Sequence, residues 1–185
     1  MNYIILAILF LLSGFFMKYS DDFFDVNHDL KFATVLGVIC GLASGVAAIY
    51  DVGAAYIFIA IPIGNILALK VDGAHHIVTL IIFILICLAF GIPQLSLVIL
   101  LICILGTLAD EVGHELIDTV TQNKFLNLFF EYRFVLKIVL CLLAICGAFS
   151  IWTFVCFLLF EISYVIAGIC FMYRFSLKNF FRSLY

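Results

Sequence analysis

Charge is scarce in this chain. Asp, Glu, Lys and Arg make up 11% of its 185 residues and hydrophobic residues 67%, which leaves too little polar surface to cover the core of a soluble domain of this length. Lys and Arg are outnumbered nine to twelve by Asp and Glu, so nothing points to a nucleic-acid partner. There are only two prolines, and no low-complexity tract or long linker separates the chain into domains. The seven cysteines (Cys40, Cys87, Cys103, Cys141, Cys146, Cys156 and Cys170) form no CxxC or other zinc-ligand spacing. They read as small hydrophobes inside apolar runs. No basic segment precedes the first apolar run and no small-residue cleavage site follows it, which argues against a signal peptide.

What the chain does have is hydrophobic length. Seven apolar runs, about 2–17, 33–50, 53–69, 76–90, 94–109, 134–149 and 151–172, approach the roughly 20 residues that carry a helix across a bilayer. Gly91-Ile92-Pro93, Asp51-Val52-Gly53 and Gly147-Ala148 mark tight turns between them. The expected fold is all-α: an integral membrane protein of about seven transmembrane helices in one polytopic domain. Its halves would be about 1–72 and 76–173, with a basic, aromatic tail at 174–185. With the N-terminus outside, Lys18, Lys31, Lys70, Lys124, Arg133, Lys137, Arg174, Lys178 and Arg182 all fall at one face. The positive-inside rule makes that face cytoplasmic, so the expected location is the cell membrane, multi-pass, with a cytoplasmic C-terminus lying along the inner leaflet.

Ten of the twelve acids share that face, all but Asp51 and Glu161, as do His28, His75, His76 and His114. Asp22, Asp25 and Asp29 stand at i, i+3 and i+7, one face of a helix continued from the first run. Like charges stacked this way destabilise a bare helix, and a hard cation such as Mg²⁺ would neutralise them. The alternative is a solvated acidic helix end. The pattern returns in DEVGHELID, residues 110–118, which aligns Asp110 with Asp21, Glu111 with Asp22, His114 with Asp25 and Asp118 with Asp29. Glu111, His114, Glu115 and Asp118 again share a face. Four runs separate the copies, giving them the same orientation and suggesting a duplicated unit whose polar patches meet at a cavity.

Asp22-x-x-Asp25-x-x-x-Asp29 resembles the first aspartate-rich motif of the UbiA superfamily of intramembrane prenyltransferases, which carries a second such motif four helices later. The resemblance implies a helical bundle whose two motifs hold Mg²⁺ on the pyrophosphate of an isoprenoid donor. Asp22, Asp25 and Glu111 would then be the catalytic carboxylates and Asp22, Asp25, Asp29, Glu111, His114, Glu115 and Asp118 the metal ligands. Metal bridging would favour loss of pyrophosphate. Lys31, Lys124, Arg133 and Lys137 are the cations available to grip phosphate oxygens. This chain has Asp21 where the family has Asn, lacks the following Arg-Pro, and carries Glu111 and His114 where the family has Asp. Histidine moves metal preference toward Zn²⁺ or Fe²⁺.

Asp21, Asp110, Asn65, Asp72, His75 and Glu161 are further candidates for lining the cavity. Lys70–His76 either caps it and contributes Asp72 or His75 to the metal site, or forms a plain turn with solvated histidines. Glu161, within the last run, either faces the cavity or bonds a neighbouring helix. Three other classes stay open: a membrane metalloenzyme with a mixed His/carboxylate site, since Glu111-x-x-His114 has the spacing of carboxylate-bridged di-iron centres; a non-catalytic protein of the same fold; and a cation transporter. The expected partner is a membrane lipid or isoprenoid pyrophosphate, and the sequence is silent on oligomeric state.

Overall fold

The computed structural model describes residues 2–71, 73–120 and 123–182, with the side chains of 118, 120 and 177–182 outside the described residues. It is helical throughout, with no strand among those residues: α1 (Tyr3–Asn27), α2 (Leu30–Tyr50), α3 (Val52–Leu67), α4 (Ala74–Phe90), α5 (Leu97–Val120), α6 (Lys124–Glu131), α7 (Phe134–Ile145) and α8 (Ile151–Arg182). Each of the seven apolar runs carries a helix. Four helices (α1, α2, α5 and α8) are long and apolar enough to cross a membrane. The count of seven spans is not shown. At 1.5 Å per residue the 12-residue α7 reaches about 18 Å and the 16-residue α3 about 24 Å, short of a hydrocarbon core of about 30 Å. α6 has no counterpart in the sequence expectation.

The helix ends follow local chemistry. Asn2 caps α1 by accepting from the Ile4 N–H at 3.0 Å. At the other end His28 turns left-handed, φ 54°, and its N–H returns to Phe24 O. Asp51 caps α3, accepting from the Ala54 N–H at 2.8 Å and the Thr153 hydroxyl at 3.0 Å. Gly91 and Gly147 adopt φ 78° and 77° just beyond α4 and α7, a conformation glycine takes without steric cost. Cys40, Cys103 and Cys156 are buried as expected, whereas Cys146 and Cys170 are exposed.

The chain divides into two compact units. The first comprises Met1–Val46, Gly73–Ile86 and Cys156–Tyr185. Phe23, Ala33, Leu36 and Phe171 form a core here, with Phe16, Tyr19, Phe24 and Phe175 packed around it. Three glycines one turn apart, Gly37, Gly41 and Gly45, bring α2 against α4. A methyl on Gly37 would lie 2.6 Å from Thr79 Oγ1, and one on Gly41 2.6 Å from the Thr79 carbonyl oxygen. Small residues at four-residue intervals permit this backbone approach between membrane helices. Thr79 uses it, donating its hydroxyl to Gly37 O at 3.0 Å. Gly41→Leu is expected to destabilise the protein by about 1–3 kcal/mol through overpacking, read as a lower unfolding midpoint in detergent. An unchanged midpoint would mean that α4 is free to shift.

The second unit comprises Ala47–Asp72 and Cys87–Val155, with α5 packed against α3, α6 and α7. Gly64 lets α3 close onto Thr107 of α5, and the Tyr56 hydroxyl accepts from the Ser96 N–H at 2.7 Å. α1 and α5 both continue about ten residues beyond their apolar runs, so the acidic stretches, apart from Asp29, lie on extensions of long helices. One stretch falls in each unit.

Candidate metal centre

In the first unit the glycine-mediated packing of α2 on α4 fixes where α4 begins. Its first turn, which begins at Ala74 directly after Gly73, presents His75 and His76. The His75 ring folds back over Gly73 so closely that a methyl there would fall on the imidazole and push it aside. On the other side the Phe24 ring packs at 4.7 Å between centroids. His75 is 2% exposed, its Nε2 3.2 Å from Asp21 Oδ1 on α1. His76 Nε2 lies 3.6 Å from the same oxygen, and the two imidazoles, tilted by 37°, have their centroids 4.0 Å apart.

These three side chains can each offer a ligand atom, all within 4.8 Å of one another. Among the described residues they form the one such group of three or more His, Cys, Asp or Glu. With metal–ligand bonds of about 2.0–2.1 Å, neighbouring ligands of a tetrahedral Zn²⁺ stand roughly 3.3 Å apart. The two edges through Asp21, 3.2 and 3.6 Å, are close to that length. His75 Nδ1 is buried with no hydrogen-bond partner, a state that buried imidazoles normally avoid. The Asp21 and His76 side chains remain 20% and 30% exposed, so the group is open on one side. Three ligands leave at least one coordination position for water or substrate.

The motif residues are distributed differently from the expectation. α1 ends at Asn27, so Asp29 does not share a helix with Asp22 and Asp25. It stands just before α2 and accepts from the Phe32 N–H at 3.1 Å, a capping role. Asp22 pairs with Lys18 at 2.8 Å, leaving its Oδ2 buried without a hydrogen bond. Asp25 and Lys31 are exposed. Glu161 is half-buried on α8. The structure brings together Asp21, expected as a cavity-lining residue, and His75, expected to line the cavity or contribute to the metal site, and adds His76.

The second motif organises the start of α7. Asp110, 1% exposed, accepts from the Val135 N–H at 2.9 Å and the Leu136 N–H at 2.7 Å. Those are two of the amides that a helix N-terminus leaves unpaired. Glu111 is buried against Arg133, with Nε–Oε1 2.9 Å and Nη2–Oε2 3.2 Å, a two-pronged contact suited to guanidinium. Arg133 itself is left-handed, φ 50°. Glu115 pairs with Lys70 at 3.2 Å. His114 and Lys124 are exposed. Lys137 Nζ bonds the Tyr132 and Arg133 carbonyl oxygens, and Asn65 Oδ1 is buried without a partner. Asp72 and the Asp118 side chain lie outside the described residues.

His76 was not singled out by motif reading because the aspartate pattern drew attention to other acids. Its signal was present nonetheless: a His-His pair after glycine at the start of an apolar helix, and a Gly-xxx-Gly-xxx-Gly helix for that helix to pack on. No protein-family model, curated protein or solved structure matches the chain.

Proposed function

We propose that this chain is a multi-pass membrane metalloprotein that binds a divalent transition-metal ion through Asp21, His75 and His76, with open coordination positions for a lipid substrate. The observation that carries the reading is the buried His75, set 3.2 Å from Asp21 with its second nitrogen unpartnered. Two imidazoles with one carboxylate favour Zn²⁺ or Fe²⁺ over Mg²⁺. Such a set with a free position supports activation of a bound water, or dioxygen chemistry at iron. The aromatic ring of Phe24 beside His75, with the Phe23–Phe171 core next along α1, suits an apolar substrate. With seven spans and the N-terminus outside, the site lies at the cytoplasmic face, where the cations gather.

A second reading, Mg²⁺-dependent binding of an isoprenoid pyrophosphate, rests on Asp21, Asp22 and Asp25. These fall within an arc of about 100° on the last turns of α1, and Asp22 Oδ2 is unpartnered. One experiment separates the two readings. Detergent-purified protein is loaded with Zn²⁺, Fe²⁺ or Mg²⁺, and its metal content is measured with and without geranylgeranyl pyrophosphate. The first reading expects stoichiometric Zn²⁺ or Fe²⁺ without the lipid, lost in Asp21→Asn and kept in Asp25→Asn. Mg²⁺-dependent lipid binding that fails in Asp25→Asn, with no Zn²⁺ or Fe²⁺ retained, would overturn it in favour of the second.

A further inference from the structure

α6 is an eight-residue helix between α5, which is long and apolar enough to cross a membrane, and the apolar α7. At 3.6 residues per turn, Lys124, Asn127 and Glu131 fall on one side, and Leu128, Phe125, Phe129, Leu126 and Phe130 cover the rest. The roll of the helix is fixed by two contacts. Phe130 lies over Gly113 of α5, leaving no room there for a methyl. Phe129 stacks on Phe134 at 5.6 Å.

With the roll fixed, Phe125 remains 71% and Leu128 52% exposed. A free-standing helix of eight residues does not persist in water, since most helical stability comes from burying an apolar face. Its apolar side must therefore meet a non-aqueous surface. The neighbours on either side indicate which one: α5 leaves Leu105, Val112 and Leu116 exposed, and α7, whose Phe134 stacks on Phe129, leaves Phe134 and Ile138 exposed. α5 is a helix built to lie in lipid, and α6 begins seven residues after the end of its membrane-compatible stretch at Ile117.

We propose that α6 lies in the plane of the membrane at the boundary between phospholipid headgroups and acyl chains. Phe125 and Leu128 enter the acyl region, while Lys124 and Glu131 stay among headgroups and water. Helices of this pattern bury their apolar face about 5–10 Å into that boundary. Phe134 and Lys137 continue the same edge, with the ammonium 5.3 Å from the ring centroid, an aromatic–cation pairing typical of membrane interfaces. The assignment is independent of the metal at Asp21.

The test uses tryptophan as a depth reporter. The single native tryptophan is removed by Trp152→Phe, and one new tryptophan is introduced per variant by Phe125→Trp, Leu128→Trp or Glu131→Trp. Leu101→Trp on α5 serves as the membrane-embedded reference. Full-length protein is reconstituted into phosphatidylcholine nanodiscs carrying bromine near the glycerol end of the chains. Phe125→Trp and Leu128→Trp are expected to be quenched about threefold more than Glu131→Trp, as the shallow burial of such a helix requires. Equal quenching of all three α6 reporters overturns the proposal. So does a Phe125→Trp signal quenched by aqueous acrylamide and indifferent to bromolipid while Leu101→Trp responds; the face would then be free to take a protein partner.

Discussion

Zn²⁺ affinity should fall by at least about a hundredfold when His75 is replaced by alanine. Removing only an outer-shell partner of a metal ligand typically costs 10–100-fold, and His75 is the most deeply buried of the three candidate ligands. His76→Ala should cost less, because His76 stands farther from the shared Asp21 oxygen and is partly exposed. The effect should also appear as stability. Metal at about a hundred times its Kd adds roughly 2.7 kcal/mol to a folded state that alone binds it, so Zn²⁺ should raise the unfolding midpoint of the native chain and leave His75→Ala unmoved. Asp21→Asn is the control for cavity formation, since it preserves volume while removing the anionic ligand. Equal midpoint shifts in the native chain and both variants would reduce Asp21 and His75 to a hydrogen-bonded pair.

Asp110→Ala should destabilise the protein by about 2–5 kcal/mol. Its two oxygens satisfy the N–H groups of Val135 and Leu136, and each buried amide left unpaired costs about 1–3 kcal/mol. A carboxylate at a helix N-terminus also complements the helix dipole. Asp110→Asn keeps one acceptor and should lose roughly half as much. Denaturant unfolding in detergent reads both, and proteolysis between Glu131 and Phe134 reports whether the start of α7 has come loose. If Asp110→Ala unfolds like the native chain while metal content drops, Asp110 is a ligand and its role as a clamp on α7 is wrong.

Hydrophobic length is written directly into the sequence, which is why every apolar run carries a helix. The ends are not. The run at 2–17 stops where charge begins, yet α1 continues to Asn27 because Lys18, Asp22 and their neighbours tolerate a helix that is already nucleated. α6 was invisible to a search for long apolar stretches, being short and two-sided. The site was harder to read because carboxylate chemistry is ambiguous: the same oxygens accept from amide N–H groups or bind cations. Asp29 and Asp110 became caps because a helix starts beside each, and helix starts are set by tertiary packing as much as by local sequence. Asp21 met His75 across 54 positions, a pairing that no spacing rule reports. The glycines at 37, 41 and 45, which bring α4 into place, were the readable trace of it.

The first unit draws on the beginning, middle and end of the chain, and this gives its assembly a timetable. Tyr19 on α1 and Arg174 on α8 are 155 positions apart and meet at 3.4 Å. At ribosomal speeds of about 5–20 residues per second, α1 waits roughly 8–30 s for that neighbour. The Ser20 hydroxyl, by contrast, reaches Ala33 O only 13 positions on, so α1 and α2 can pair almost at once. Asp21, His75 and His76 have all emerged well before Cys156, where the last stretch of the unit begins. If the proposed ion is taken up during synthesis, it would fasten α4 to α1 while the place of α8 is still empty, and would then guide the order of assembly as well as occupy the finished protein.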